Sequence, residues 1–159
     1  MSYQLVGLGT YKLQDEQCSQ IIKFGLELGF RQIDTAQLYH NHTNIAQGIS
    51  LSGVSREDIF IISKIHNSNI KKLKIAESID NIKKELDTNY IDLILLHNPV
   101  KNYQNAWEEL VRCKEHMRIK NIGVSNFDIN NLEFGMFSKH HFVNVVDFDL
   151  SKVLKLGSL

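Results

Sequence analysis

Short apolar runs recur along this chain at intervals of roughly 30 residues, the size of a strand–helix–strand unit. Val6–Thr10 (broken by Gly7 and Gly9), Arg31–Asp34, Ile59–Ser63, Ile91–Leu96, Asn121–Val124 and Phe142–Phe148 read as strands. They lack polar alternation, which is the pattern of a parallel sheet buried on both faces. Segments between them carry apolar residues at helical spacing. Ile21, Ile22, Gly25 and Leu28 mark a helix over Glu16–Leu28, with Gly29 as its stop signal. Asn44–Ile49 reads as a short helix, and Ser55 with Asp58 as the turn before the third strand. Ala76, Ile79, Ile82 and Leu86 share one face of a helix over Leu73–Leu86, with Lys and Glu on the other. Trp107, Leu110, Val111 and Lys114 give a further amphipathic helix, and Asp128 is placed to cap one through Ile129 and Leu132. Asp149–Leu159 has room to start a sixth helix and no more.

Alternating strands and helices leave two architectures, a closed (β/α) barrel or an open doubly wound sheet. Gly7-Leu8-Gly9-Thr10 does not match the GxGxxG turn expected after the first strand of a dinucleotide-binding open sheet. Four of the runs stop on residues able to do chemistry: Asp34, Lys64, His97 and the pair Ser125-Asn126. In a barrel of parallel strands, the carboxyl ends open onto one face, so such groups converge on one pocket. No linker, repeat or low-complexity stretch divides the chain, and residues 1–159 are expected to form one domain.

Composition narrows the function. The 159 residues carry a formal net charge of +0, with 43% hydrophobic and 23% charged residues. This is an ordinary globular balance with no basic surplus for nucleic acid. Cys18 and Cys113 fall in helical patterns and lack metal-site spacing, so they are expected to be reduced packing residues. The apolar runs are far shorter than a membrane span. The amino terminus lacks the basic end and apolar stretch of a signal peptide. The expected location is cytoplasmic.

Five ordered segments carry a family resemblance. They are Gly7-Leu8-Gly9-Thr10-Tyr11; Arg31-Gln32-Ile33-Asp34-Thr35-Ala36 with Tyr39 and Asn41; Ile62-Ser63-Lys64; Asp92 through Pro99; and Ile122-Gly123-Val124-Ser125-Asn126-Phe127. Together they resemble the aldo-keto reductases, over Gly7 to about Leu150. The resemblance implies an incomplete (β/α)8 TIM barrel of about six parallel strands with intervening helices. It implies NAD(P)H-dependent reduction of aldehydes or ketones to alcohols, with NADPH as the cofactor expected and Asp34, Tyr39, Lys64 and His97 as the catalytic set. Thr10, Tyr11, Asp34, Ser125 and Asn126 would line the nicotinamide.

The chemistry of that set follows from ordinary acid–base reasoning. A nicotinamide supplies hydride, and the developing alkoxide needs a proton. A free phenol has a pKa of about 10. A neighbouring Lys64 ammonium would lower it for Tyr39 by favouring phenolate. Asp34 would hold the lysine, and His97 would orient the carbonyl. Each residue also has a plainer reading: Asp34–Lys64 as a structural ion pair, His97 as a satisfied core histidine, Tyr39 as a packing aromatic, Ser125-Asn126 as a helix start. His40 and His42, flanking Asn41, are expected to be solvent-exposed, as are His140 and His141.

The resemblance also marks departures. A full barrel has eight strands and about 250 residues, whereas six strands are expected here. In the family, the seventh and eighth strands carry the grip on the cofactor's phosphates and adenosine and an aromatic that stacks on the nicotinamide. Val145 stands where a glutamine usually touches the nicotinamide amide, and His42 where a glutamate usually follows Asn41. The alternative reading is a catalytically inactive remnant, or an assembly or binding protein that keeps the front of the barrel. In either case open sheet edges are expected to favour self-association.

Overall fold

A computed structural model describes residues 6–132 and 143–145. Six parallel strands form one sheet in strictly sequential order. They are β1 (Leu8–Gly9), β2 (Gln32–Asp34), β3 (Phe60–Ile65), β4 (Ile91–Leu96), β5 (Ile119–Ser125) and β6 (Val143–Val145). The helices are α1 (Asp15–Glu27), α2 (His42–Ser52), α3 (Asn67–Lys71), α4 (Ile75–Glu85), α5 (Tyr103–His116) and α6 (Ile129–Leu132). Sequential order with right-handed crossovers places every helix on the same side of the sheet. This is the winding of a barrel wall rather than of a doubly wound sheet, and the fold is an incomplete (β/α)8 barrel. Among the described residues, β1 pairs only with β2, and β6 only with β5.

Two apolar clusters show which face each strand residue takes. The large one joins Ile22 and Leu26 of α1, Ile45 of α2, Ile79 and Ile82 of α4 and Trp107 and Leu110 of α5 to Ile33, Ile61, Ile65, Ile94, Leu96, Ile122 and Val124 of the sheet. The small one contains only Ile62, Leu93 and Leu95, with Phe60 against it. Successive residues of a strand face opposite ways. Ile61 therefore points at the helices and Ile62 at the barrel interior. The same parity sends Ser63 outward and Lys64 inward.

The amino-terminal end of the sheet is fastened by charge. Asp92, almost fully buried, accepts hydrogen bonds from Arg56 Nη2 (2.8 Å), Lys120 Nζ (2.9 Å) and the Ile61 backbone N–H (3.0 Å). The Tyr90 ring lies 4.2 Å from both the Arg56 guanidinium carbon and the Lys120 ammonium. Both cations gain from the ring face as well as from the carboxylate. This cluster lies at the end opposite the chemistry-bearing residues.

Most elements agree with the periodicity, with differences at their edges. The apolar pattern over Leu73–Leu86 is α4, which starts two residues later than expected, at Ile75; α3 precedes it as a separate short helix. Leu73 adopts a left-handed backbone (φ 56°) that no continuous helix accepts. The helix expected over Asn44–Ile49 runs longer, over His42–Ser52. Its first turn starts earlier because Asn41 is engaged in long-range hydrogen bonds, described below. Lys64 lies inside β3 rather than just beyond it. The expected final helix over Asp149–Leu159 lies outside the described residues. Both cysteines are free and buried, and burial pushes the Cys18 thiol up to about 11.

Helices α1 and α2 pack closely at Gly48. A Cβ on Gly48 would sit 2.6 Å from the Ser19 backbone oxygen and 2.7 Å from Ile22 Cβ. An alanine in mid-helix gains up to about 1 kcal/mol in propensity over glycine. Here it meets backbone that cannot rotate away, and overpacking costs about 1–3 kcal/mol. Gly48→Ala is therefore expected to lower the unfolding free energy by about 1–2 kcal/mol in urea titration. A stabilised variant would contradict the close helix contact.

Candidate active site

The carboxyl ends of β2, β3 and β4 deliver Asp34, Lys64 and His97 to one place. Parallel pairing sets Asp34 beside Ile62 and Lys64 beside Leu95, and His97 follows directly after β4. Lys64 has no exposed surface. Its ammonium donates to Asp34 Oδ1 at 2.5 Å and lies 3.4 Å from both the Thr35 carbonyl oxygen and the Tyr39 hydroxyl. The Tyr39 ring stands edge-on to the His97 imidazole, with centroids 6.1 Å apart. Asp34, Tyr39, Lys64 and His97 thus form one cluster, a common floor at the sheet's carboxyl end.

Tyr39 comes from a loop, yet the loop is held on several sides. It closes a single 3₁₀ turn, Gln37–Tyr39, which His40 ends in the left-handed region (φ 53°). Asn41 is fully buried. Its Nδ2 donates to the carbonyls of Thr10 (2.9 Å) and Leu13 (3.0 Å), and its Oδ1 accepts from Thr35 Oγ1 (2.8 Å). A single amide therefore joins the loop after β1 to the loop after β2. Gln14 Nε2 donates to the Tyr39 carbonyl at 2.7 Å. Gln37 Oε1 accepts from the His66 backbone N–H (2.9 Å) and from Asn69 Nδ2 (3.2 Å), linking the turn to the segment after β3.

The residues expected to line a nicotinamide flank this floor. Thr10 is buried, and both its N–H and its hydroxyl donate to the Asp34 carbonyl oxygen (3.0 and 2.9 Å). Tyr11 is largely exposed, with its ring centroid 5.1 Å from that of Tyr39. Ser125, fully buried, ends β5. Asn126 takes a left-handed backbone (φ 60°), and its Nδ2 donates to the His97 carbonyl and to Ser125 Oγ, both at 3.1 Å. That arrangement turns Asn126 Oδ1 into the acceptor that a carboxamide N–H requires, with the Ser125 hydroxyl beside it. The donor set fits the amide end of a nicotinamide. In the backbone register Val145 pairs with Ser125.

The surroundings of two histidines differ. His40 is exposed, as expected. His42 is 2% exposed, which corrects the expectation of solvent exposure. Its Nε2 lies 3.0 Å from Ser63 Oγ and its Nδ1 2.8 Å from Glu85 Oε2. The hydrogen bond from His42, helped by the charge of His42 and His40, holds the Glu85 carboxyl below the usual carboxylate range despite partial burial. Glu85 is 43 positions further along the chain and half exposed, so no local pattern announces this contact. His40, His42, His66, Glu85, Gln37 and Ser68 line a polar cavity of about 480 Å³ on the outer flank of the Tyr39 turn. Among the described residues, no cluster of three histidines, cysteines or carboxylates could hold a metal ion, and no helix is long and apolar enough to cross a membrane.

Comparison with known proteins gives a match over residues 5–148 to the aldo/keto reductase family. The methylglyoxal reductase DkgB of Yersinia pestis is 38% identical over 134 residues, covering 82% of this chain and 50% of that protein. The 9,11-endoperoxide prostaglandin H2 reductase of Trypanosoma cruzi is 35% identical over 129 residues, covering 80% of this chain and 46% of its own length. The chain therefore spans about half the length of these curated relatives. The crystal structure of MGS-M4, an aldo-keto reductase enzyme from a Medee basin deep-sea metagenome library, superposes with a TM-score of 0.84 at 31% identity. That superposition covers 92% of this chain and 55% of the other.

Proposed function

This chain belongs to the aldo/keto reductase family, and from that premise we propose that it carries a site for NADPH-dependent reduction of small carbonyl compounds. The observation that carries this reading is the buried Lys64 ammonium held between the Asp34 carboxylate and the Tyr39 hydroxyl. A structural ion pair needs no phenol at its open end.

The family resemblance and the geometry together support the following residue roles. A bound nicotinamide supplies hydride. Ser125 and Asn126 hold its carboxamide, and Thr10 and Tyr11 border its ribose side. His97 donates a hydrogen bond that orients the substrate carbonyl against Tyr39. The Tyr39 hydroxyl gives its proton to the developing alkoxide, and the adjacent Lys64 ammonium stabilises the phenolate left behind. Asp34 keeps the fully buried ammonium charged and offsets its charge. The relatives' names support a carbonyl substrate, and methylglyoxal, a small ketoaldehyde, is the probe of choice.

Titration with NADPH, followed by nicotinamide fluorescence, is expected to show binding, and Tyr39→Phe is expected to leave it intact. The same variant is expected to lower methylglyoxal reduction by about 10²–10⁴-fold, the usual worth of a general acid. Undiminished turnover would refute the proton-donor role. No binding at high micromolar cofactor would favour the inactive-remnant reading.

A second reading, assembly of the chain with itself, has its own observation. Ile21, Phe24 and Leu28 form an exposed stripe on the side of α1, and Gly25 of the same helix packs on Leu8 of β1. Apolar surface thus flanks a strand edge that lacks a second partner among the described residues. Both features favour association. Native mass measurement is expected to give a dimer that Phe24→Lys dissolves, whereas a stable wild-type monomer would contradict it.

A further inference from the structure

We propose that His42 is a positioning residue for this site, tying the turn that delivers the Tyr39 phenol to the strand that delivers the Lys64 ammonium. The inference rests on the roles assigned above to Tyr39 and Lys64. His42 opens α2 three residues after Tyr39, directly behind the buried Asn41. Its Nε2 meets the hydroxyl of Ser63, the residue before Lys64 on β3. Adjacent strand residues face opposite sides. Ser63 is therefore gripped from the helix layer while Lys64 reaches Asp34 and Tyr39 from the barrel side.

The third member gives the arrangement its direction. Glu85, near the end of α4, accepts from Nδ1 of the imidazole. A carboxylate on one ring nitrogen fixes the orientation of the ring and so keeps Nε2 on the Ser63 hydroxyl. Burial makes both contacts matter, since a buried polar atom without a partner costs about 1–3 kcal/mol. The lysine–phenol separation of 3.4 Å lies at the long limit of a hydrogen bond, so a small displacement of β3 against the Tyr39 turn breaks it. No other side chain described here joins the segment immediately after Tyr39 to the residue immediately before Lys64.

The test reads the phenol directly rather than turnover. Protein is labelled at the tyrosine ζ carbon, and the Tyr39 carbon signal is assigned by its loss in Tyr39→Phe. Lys64→Met is expected to displace that signal, because the ammonium beside the oxygen is gone. Ser63→Ala and His42→Asn are expected to move it in the same direction by a smaller amount. His42→Gln, whose terminal amide reaches the place of Nε2 and can hydrogen-bond Ser63 Oγ in either direction, is expected to restore the wild-type position. A signal that stays at the wild-type position in Ser63→Ala and His42→Asn, while Lys64→Met displaces it, overturns the inference, even where the melting temperature falls. A signal that Lys64→Met leaves in place removes the lysine–phenol reading itself, and the positioning role with it. Ser63→Ala deletes one hydroxyl and keeps the test open if the histidine variants do not fold.

Discussion

A lysine ammonium with no exposed surface is the constraint around which the front of this molecule is arranged. Taking such a charge out of water costs several kcal/mol even after the protein relaxes. The cost is offset only where charge and hydrogen bonding meet it on every side. Asp34 supplies the countercharge, and the Thr35 carbonyl and Tyr39 hydroxyl complete the shell. Each of these depends on backbone placed elsewhere. Thr10 pins the Asp34 carbonyl, the Thr35 N–H donates to the Ile62 carbonyl, and Asn41 joins the loops after β1 and β2.

The parallel sheet makes the convergence possible. Sequential strands bring residues distant in sequence to one rim without any long crossover. Residues two apart on a strand share a face, so Ile62 and Lys64 point inward together while Ile61 and Ile65 seal the helix layer. The opposite rim is spent on stability, with Asp92 compensating two cations that both lean on Tyr90. Division of labour between the two ends is general for such barrels. Here it keeps the strained charge of Lys64 away from the anchoring charge of Asp92.

What the sequence disclosed and what it hid divide along physical lines. Strand positions were legible because burial on both faces leaves unbroken apolar runs, and Asp34, Lys64 and His97 stood out as polar residues ending them. Helix faces were legible where Ile79 and Ile82 recur at helical spacing. The start of α4 was placed two residues early because Leu73, an apolar residue with no bias to the left-handed region, takes that conformation. The role of Asn41 was hidden because its side chain makes no cap for α2 and reaches Thr10 and Leu13, which are distant in sequence. His42 was misread as exposed because its partners, Ser63 and Glu85, are brought to it only by tertiary packing.

The central claim is that the Asp34–Lys64 pair is kept for chemistry and not for the fold. Replacing a buried ion pair by neutral groups of similar volume is often neutral or stabilising, by up to about 4 kcal/mol. The most direct measurement is the urea unfolding free energy of the double variant Asp34→Asn/Lys64→Met against that of the wild type. The account predicts a double variant at least as stable as the wild type. A loss of several kcal/mol would show that the pair holds the structure together, and would contradict the account.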